Sequence, residues 1–570
     1  MLSQSPPQTS TIQPLPRDVV KTIAAGEVMD SIAAVVRELG ENSLDAGATR
    51  ITIALEPDLW RIQVADNGTG MTLTDLRVCA MGHSTSKIRS QEDLHNITTL
   101  GFRGEALHSL AQVADLEIKS RPKIGSNPGW GLVYHQDSVV REEPVAMAPG
   151  TIVTVANLFG NWPVRRKGLP SISQQLKTIQ TIIGNMALCH PQVTWLVLLK
   201  ERPWLKISPG MAAIDIIPQI LKQVRVSDLQ LLQEEITTSS GLSHLELVIG
   251  LPDRCHRPKA DWLKIAVNGR VVRSPQLEQT AISAFSRTLP RHRYPICFLH
   301  LHLPPSKIDF HRHPAKVEIY LQDLESLQEG LEKAIEKALR INPGNFPEAE
   351  NPRLTQLLKA SEKKGAYHLN KDLKTTPPEE PAPKTNPNID VFQLRAVAQV
   401  SNTYIVAEHS GGIWLIEQHI AHERVLYEEL QDSWELVTLE KPIVLSQLKI
   451  TQLEQLERLG LEVECFGEDL WAVRTIPAML KERDDIAPAL IELSLGGDLE
   501  AAQTAIACRS AIRNGTPLNL TQMQRLLDEW KHTRNPRTCP HGRPIYLSLE
   551  ESALARFFRR HWVIGKSHGI

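Results

Sequence analysis

The stretch from residue 341 to residue 390 constrains the fold of this chain most strongly, because it is too polar to build a core. It is dense in proline, glutamate, lysine and asparagine, as in the run Thr375-Thr376-Pro377-Pro378-Glu379-Glu380-Pro381. Such a segment cannot bury enough apolar surface to offset the conformational entropy lost on folding. We therefore predict a disordered linker over residues 341–390 that separates two folded parts.

Length, charge and cysteine content narrow the class of protein. A chain of 570 residues has room for about three or four domains of ordinary size. The 63 Lys+Arg and 65 Asp+Glu residues leave a net charge of −2, so any surface for nucleic acid must be local. Seven cysteines without the spacing of a disulfide scaffold indicate a reducing compartment and leave thiols for metal. With no signal-like start and no apolar run of about 18 residues, we expect a cytoplasmic protein without a membrane partner.

The hydrophobic patterns before the linker predict an α+β architecture. Alternating β-branched residues predict strands over residues 50–55, 61–64 and 151–155. The strand-like run Trp262 to Val272, helical Gln276 to Arg287 and strand-like Pro295 to Leu303 predict a second α/β unit. We place the boundary near residue 215, which gives domains over residues 1–214 and 215–340.

After the linker, residues 391–570 form the last predicted domain. Ala396 to Ala407 and Ile413 to Ile416 have the pattern of strands, and Glu417 to Leu430 has that of a helix. A helical insert is expected at about residues 450–505.

The segment from Val35 to Gly47 predicts an amphipathic helix that ends at a glycine. At about 100° per residue, Glu38, Asn42 and Asp45 lie on one face. A carboxylate one turn from a carboxamide suits a general base beside a ligand for a hard cation such as Mg²⁺. The same pattern also occurs on ordinary solvated helix faces, so it does not decide between them.

Glycine-rich turns give further signals of a nucleotide site. The strand that ends at Asp66 runs into the turn Asn67-Gly68-Thr69-Gly70, where glycine allows close backbone approach to a ligand. An ordinary Asn-Gly hairpin turn would look the same. Downstream, the segment 82–87 and the loop 101–104 precede a helix N-terminus, an arrangement that suits polyphosphate.

A candidate metal site is encoded in the last domain. His419 and Glu423 lie one turn apart on the predicted helix, and Cys539 and His541 are two residues apart far downstream. With Cys508, they form a donor set suited to zinc or manganese. The alternative is that no metal binds, since an ordinary surface helix and a cysteine in the core would give the same pattern.

These motifs together resemble the MutL family of mismatch-repair ATPases, within the GHKL superfamily of gyrase, heat-shock chaperones and histidine kinases. The resemblance is carried by the strings Ile23-Ala24-Ala25-Gly26-Glu27-Val28, Glu41-Asn42-Ser43-Leu44-Asp45-Ala46-Gly47-Ala48, Gly101-Phe102-Arg103-Gly104-Glu105-Ala106-Leu107 and His313-Pro314-Ala315-Lys316. It implies a GHKL ATPase α/β sandwich, a transducer domain like ribosomal protein S5, and a C-terminal α/β domain for dimerisation and DNA nicking.

The resemblance implies specific roles in ATP turnover. Glu38 would activate the attacking water, Asn42 would bind Mg²⁺ and Asp66 would recognise the adenine. Lys316 would reach the γ-phosphate from the transducer domain and couple nucleotide state to domain arrangement. The other residues implied to bind ATP are Asp45, Gly68, Gly70, Thr85, Ser86, Lys87, Gly101, Phe102, Arg103, Gly104 and Thr151.

At the second site, the resemblance implies Mn²⁺ or Zn²⁺ bound by His419, Glu423, Cys508, Cys539 and His541. The family string reads DQHAxxExxxxE, and here Glu417 stands for the leading Asp and Ile420 for the Ala. Glu417 is the implied catalytic acid, although its extra methylene alters the geometry available to a second ion. Two functions stay open: an ATP-switched endonuclease, and a matchmaker without nuclease activity.

The expected partners are DNA, a second copy of the chain and a MutS-type mismatch sensor. The resemblance implies a C-terminal homodimer, an ATP-dependent N-terminal dimer and a location at the bacterial nucleoid. Residues 439–445 match the family's clamp-binding segment poorly, so a sliding clamp is left open. DNA binding should be non-specific and salt-dependent because local basic groups contact phosphates, with a solvated charged loop as the alternative. The candidate residues are Arg165, Arg166, Lys167, Arg270, Arg273, Arg543, Arg559 and Arg560.

Overall fold

The computed structural model describes residues 20, 23, 25–26, 28–90, 92–93, 96–124, 128–136, 138–238, 241–309, 319–341, 393–551 and 554. The predicted linker lies outside the described residues apart from Ile341. The chain forms two compact units: the first comprises Met1–Gly250, Lys259–Ala284 and Pro295–Ile335, and the second Leu251–Pro258, Phe285–Tyr294 and Glu336–Ile570. Both contain helices and sheets, which confirms the α+β class.

An eight-stranded sheet is the framework of the first unit, with strand order β5-β4-β3-β6-β2-β1-β7-β8. All neighbouring strands are antiparallel except the parallel pair β1 and β7. The three strands predicted from alternating residues are present as β1, β2 and β6. The strands are β1 Arg50–Glu56, β2 Arg61–Asp66, β3 Asp115–Arg121, β4 Gly129–His135, β5 Ser138–Val145, β6 Gly150–Ala156, β7 Thr194–Leu199 and β8 Arg202–Ile207.

The helices of this part of the chain include several that pack against the sheet. They are α1 Ile32–Asp45, α2 Leu73–Val78, α3 Ala106–Val113, α4 Pro163–Lys167, α5 Ile172–Cys189 and α6 Ala213–Ile220. Helix α1 begins at Ser31, whose hydroxyl accepts a hydrogen bond from Ala34 N at 3.1 Å, and Gly47 follows its end with φ +70°. Val35, Val36 and Leu39 are buried, so the opposite face of α1 is left for polar side chains.

A second sheet of the first unit has the order β12-β11-β13-β10-β9. Its strands β11 and β13 are parallel and flank α7 in the sequence, which confirms the predicted strand-helix-strand segment. The elements are β9 Leu229–Thr238, β10 Gly241–Gly250, β11 Leu263–Val267, β12 Arg270–Val272, α7 Pro275–Ala284 and β13 Cys297–His302, followed by β14 Ile308–Asp309, β15 Tyr320–Leu321 and α8 Leu324–Leu339.

In the second unit, four antiparallel strands form a sheet of order β16-β17-β18-β22. Its buried side packs against two helices through a core that includes Trp414, Ile416, Leu527 and Trp530. The strands and the helix predicted after the linker are confirmed. These elements are β16 Arg395–Val400, β17 Tyr404–His409, β18 Gly412–Glu417, α9 Gln418–Asp432, α13 Leu520–Lys531 and β22 Tyr546–Glu550.

A second core of this unit corrects the expected helical insert. Between residues 450 and 505 the structure has three helices, but also a β-hairpin whose strands join a sheet of order β19-β21-β20. The hairpin has a two-residue turn, Glu468-Asp469, at which Asp469 has φ +58°, and the aromatic residues Phe466 and Trp471 stand on either side of it. The elements are β19 Leu436–Ser446, α10 Ile450–Arg458, β20 Val463–Gly467, β21 Leu470–Pro477, α11 Ile486–Ser494 and α12 Leu499–Ser510.

No helix among the described residues has the length and apolar character needed to cross a membrane.

Candidate functional site

A cavity of about 970 Å³ opens beside α1 in the first unit. Its wall is formed by one face of α1, the end of β2, the segment 83–89 and the loop 99–105. Gly68 does not line the cavity, and Lys316 lies outside the described residues. The predicted nucleotide-site residues that line it are Glu38, Asn42, Asp45, Asp66, Gly70, Thr85, Ser86, Lys87, Gly101, Phe102, Arg103, Gly104 and Thr151.

The polar face of α1 places three side chains on this cavity. Glu38 is half-buried and accepts a hydrogen bond from Arg37 Nε at 3.3 Å. One turn later, Asn42 Oδ1 accepts from Lys87 Nζ at 2.9 Å. Asp45 Oδ2 lies 2.6 Å from the same ammonium. The helix thus combines a carboxylate that is accessible from the cavity with a carboxamide oxygen beside a cation.

Asp66 lies at the end of β2, at the base of the cavity. Ser43 Oγ donates to one carboxylate oxygen at 3.0 Å, and Gly68 N donates to the other at 2.9 Å. Burial raises the pKa of Asp66, although these hydrogen bonds act in the opposite direction. Gly68 therefore orients Asp66 from behind the cavity wall.

Gly70 has a steric role in the same turn. Its φ is +70°, and a Cβ there would lie 2.1 Å from Arg121 O. The turn can lie against the end of β3 only if this position lacks a side chain.

Asp45 holds the loop on the other side of the cavity. Its Oδ1 accepts from Leu100 N at 2.8 Å and its Oδ2 from Gly101 N at 2.9 Å. Gly104, further along the loop, has φ +65°, and a Cβ there would lie 2.6 Å from Ser84 O. Asp45 thus holds the start of the loop, and the missing side chain of Gly104 lets the end of the loop lie against Ser84.

In the second unit, the five predicted metal ligands lie together. They form two overlapping triads, His419 with Glu423 and Cys508, and Glu423 with Cys539 and His541, and the potential ligand atoms of each lie within 4.8 Å of one another. Glu423 belongs to both triads, and its side chain is 0% exposed. Two ligands come from α9, one from α12 and two from the turn before β22.

The charges around Glu423 compensate its burial. Its Oε1 lies 2.7 Å from His541 Nδ1, and its Oε2 lies 3.2 Å from an Arg543 nitrogen. Burial would raise the pKa of Glu423, but His541 and Arg543 outweigh it and the pKa is lowered. Cys539 and Glu423 in turn raise the pKa of His541 to about 9.

The peptide of Ile512 orients the first histidine. His419 Nδ1 lies 2.9 Å from Ile512 O, and donation to this carbonyl leaves Nε2 facing Cys508 Sγ at 3.9 Å. The N–H of Ile512 donates to His422 Nδ1 at 2.9 Å, and burial lowers the pKa of His422, as suits an acceptor. Sequence reasoning did not assign His422; its position at i+3 from His419 was the available signal.

The two other acids of the motif lie outside the triads. Glu417 caps α9, since its Oε2 accepts from Ile420 N at 2.6 Å. Glu428 accepts from the backbone N–H groups of Arg534 and Asn535 at 2.6 and 3.0 Å, and so holds the chain that leads to Cys539. The structure does not bring Glu417 to the cluster, and its catalytic role stays a prediction.

The candidate DNA-binding residues differ in how far they are free to meet a phosphate. Arg165 donates to Gly26 O, Arg166 lies over the ring of Trp60, Arg270 pairs with Glu41, and Arg543 is partly exposed beside Glu423. Lys167 and Arg273 are exposed. Arg559 and Arg560 lie outside the described residues. DNA contact by this set stays a prediction.

The chain matches three family descriptions in order. Residues 29–141 match the histidine kinase-, DNA gyrase B-, and HSP90-like ATPase family, and residues 222–340 match the DNA mismatch repair protein, C-terminal domain. Residues 397–518 match the MutL C terminal dimerisation domain. The nucleotide cavity lies largely in the first match, and the motif of α9 lies in the third.

Named relatives are similar over the whole chain. The DNA mismatch repair protein MutL of Rippkaea orientalis is 62% identical, with 99% of this chain and 100% of the relative covered. The protein of the same name from Microcystis aeruginosa is 59% identical, with the same coverage. The structure titled Aquifex aeolicus MutL ATPase domain complexed with ADP is 23% identical, with 49% of this chain and 94% of that chain covered and a TM-score of 0.36. At 62% identity over 99% of its length, this chain belongs to the DNA mismatch repair protein MutL family.

Proposed function

We propose that this chain is an ATP-switched mismatch-repair homodimer that nicks DNA at the metal cluster of its second unit. The observation that carries the nicking step is the convergence of four donors, two sulfur and two nitrogen, on the buried carboxylate of Glu423. A buried carboxylate is costly unless a positive charge compensates it, and a divalent metal held by this donor set would supply such a charge.

In the nucleotide cavity, the side chains of α1 support ATP hydrolysis. Glu38 would accept a proton from the attacking water, and Asn42 would hold Mg²⁺ through its amide oxygen. Asp66 would accept a hydrogen bond from the adenine amine, and Lys87 would contact phosphate oxygens. The shared cavity of these residues supports this assignment.

At the metal cluster, the residues that would hold a divalent metal are His419, Glu423, Cys508, Cys539 and His541. A divalent cation bound there supplies Lewis acidity toward a backbone phosphate. Arg543 is 52% exposed and lies 3.2 Å from Glu423, so its guanidinium would hold a phosphate at this cluster.

The homodimer is supported by the outer face of the sheet β16-β17-β18-β22. Cross-strand pairs place Val406 beside Leu415 and Leu415 beside Leu547 on that face. Leu547 is 58% exposed and Leu549 38%. An apolar sheet face of this kind is stabilised when a second copy covers it.

ATP would close the N-terminal parts of the dimer around DNA, with Lys316 carrying the nucleotide state to the transducer domain. A MutS-type sensor would load the protein at a mismatch in the nucleoid. Exposed Lys167 and Arg273 are available for non-specific phosphate contacts.

The second candidate is a matchmaker without nuclease activity, whose metal cluster only shapes the dimer interface. It is favoured by Glu417, whose carboxylate caps α9 and lies outside both triads. In this case the cluster binds metal and no strand is cut.

The two candidates differ in a plasmid assay. Purified full-length protein is incubated with supercoiled plasmid and Mn²⁺, Mg²⁺ or Zn²⁺, alongside Glu423→Gln and the control Glu440→Gln on exposed β19. Nicking by wild type and the control but not by Glu423→Gln supports the endonuclease. If the wild-type protein binds metal but does not nick the plasmid, the matchmaker is supported. ATP hydrolysis is followed in parallel, and Glu38→Ala should bind ATP without turnover.

A further inference from the structure

We infer that Arg270 is a positioning residue for ATP turnover, which holds the loop 99–105 and helix α1 in the geometry of the nucleotide cavity. Arg270 begins β12 of the second sheet, and one of its terminal nitrogens lies 2.6 Å from Glu41 Oε2 and 2.7 Å from Leu100 O. The side chains of the ion pair are 9% and 8% exposed. The inference deepens the ATPase function proposed above and rests on it.

The contact to Leu100 leads directly to the cavity. The carbonyl of Leu100 accepts from Arg270, while its N–H donates to Asp45 Oδ1 at 2.8 Å. The next N–H, that of Gly101, donates to Asp45 Oδ2, which also lies 2.6 Å from Lys87 Nζ. The start of the loop is therefore held from two sides, by a cavity residue and by Arg270.

The contact to Glu41 reaches α1 itself. Glu41 is buried and does not line the cavity, whereas its neighbour Asn42 does. A displacement of Glu41 would rotate or shift the turn of α1 that carries Glu38 and Asn42. Since near-attack geometry is sensitive to small displacements, a loose α1 would slow the chemical step more than it weakens binding.

The backbone that carries Arg270 is itself rigidly held. Gly269 O lies 3.1 Å from His190 Nε2, and Gly269 N donates to His300 Nε2 at 3.0 Å. The side chain of Asn268 bonds both the N–H and the C=O of Leu303. Because this backbone is fixed, the guanidinium of Arg270 has a defined position, unlike that of a mobile surface arginine.

If the ion pair only stabilised the fold, the variants would differ from those expected if it positions the residues of the nucleotide cavity. Removal of one partner leaves the other charge buried and lowers stability, whereas replacement of both by apolar side chains restores it. The contact with Leu100 O is lost whenever Arg270 is replaced, in the single and in the double variant. The double variant should therefore recover thermal stability without recovering ATP turnover.

The test uses the full chain and measures kcat and KM for ATP, the melting temperature, and hydrogen exchange of peptides covering residues 96–105. The variants are Arg270→Met, Arg270→Lys, Glu41→Met and the double variant Arg270→Met/Glu41→Met. Arg202→Met, on exposed β8, is the matched control and should behave as wild type.

We expect Arg270→Met to lower kcat about tenfold with a smaller rise in KM, and to speed exchange in residues 96–105. Arg270→Lys should recover part of kcat. The double variant should regain the wild-type melting temperature but not kcat. Wild-type kcat in Arg270→Met, or full recovery of kcat in the double variant, would overturn the inference. If wild-type protein does not hydrolyse ATP, the proposed ATPase function fails instead.

Discussion

Lys87 Nζ lies 2.6 Å from Asp45 Oδ2, and this pair joins the segment 83–89 to the end of α1 at the nucleotide cavity. Because Asp45 also accepts two backbone hydrogen bonds from the loop 99–105, one carboxylate ties together three parts of the cavity wall. The cation and the loop are thus held in one network.

We predict that Lys87→Met weakens ATP binding. Loss of a charge-assisted hydrogen bond to phosphate costs about 1.5–3 kcal/mol, which corresponds to a rise in KM of about tenfold or more. Steady-state ATPase kinetics check this, with Lys206→Met on exposed β8 as control. An unchanged KM in Lys87→Met would show that the ammonium serves only to hold Asp45.

Local motifs made much of the nucleotide cavity predictable from the sequence. Glu38, Asn42 and Asp45 share a helix face, and helical periodicity alone places them together. The glycines at positions 70 and 104 mark backbone that must have positive φ, which short-range sequence also reveals.

Long-range polar contacts were not predictable in this way. Arg270 and Glu41 are 229 residues apart, and the hydrophobic pattern does not report which buried charges pair. The sequence places Arg270 among the candidate DNA-binding residues, and it does not reveal that the guanidinium of Arg270 pairs with Glu41 in the first unit. Likewise, the capping role of Glu417 depends on where α9 begins, and helix ends are the least certain part of a sequence-based prediction.

For the metal cluster, we predict that Glu423→Gln abolishes binding of Zn²⁺ and Mn²⁺ by the second unit. Glu423 is common to both triads, and a neutral amide in its place removes the charge that compensates a cation. Elemental analysis after equilibrium dialysis against each metal checks this, with Glu440→Gln as control. Equal metal content in Glu423→Gln and wild type would mean that the cluster is not the binding site.

For the homodimer, we predict that Leu547→Arg weakens self-association. Each copy would bury a charge in an apolar sheet face, which should raise the dissociation constant at least about tenfold. Sedimentation equilibrium measures the constant. Leu495→Arg is the control, because Leu495 is 73% exposed and directly follows α11, outside the sheet β16-β17-β18-β22. A dimer that is unaffected by Leu547→Arg would place the interface on another surface.

The last prediction concerns acid stability and His300 in β13. Burial, followed by the charges of His302, His190 and His244, lowers the pKa of His300 to about 3. Its ring lies 4.0 Å from that of His302, and its Nε2 accepts from Gly269 N, so the neutral form is the one that fits. In an unfolded chain the pKa is about 6.5, so protons bind the unfolded state more tightly than the folded state.

The stabilising effect of the neutral ring is therefore complete above about pH 6.5 and is lost as the pH falls toward 3, with a slope of about 1.4 kcal/mol per pH unit. His300→Gln keeps an acceptor for Gly269 N but does not titrate, so its stability should fall less steeply. Hydrogen exchange of β13 peptides between pH 7 and pH 5, corrected for intrinsic rates, measures this, with exposed His135→Gln as control. The same pH dependence in His300→Gln and wild type would show that another group, such as His302, governs the acid sensitivity.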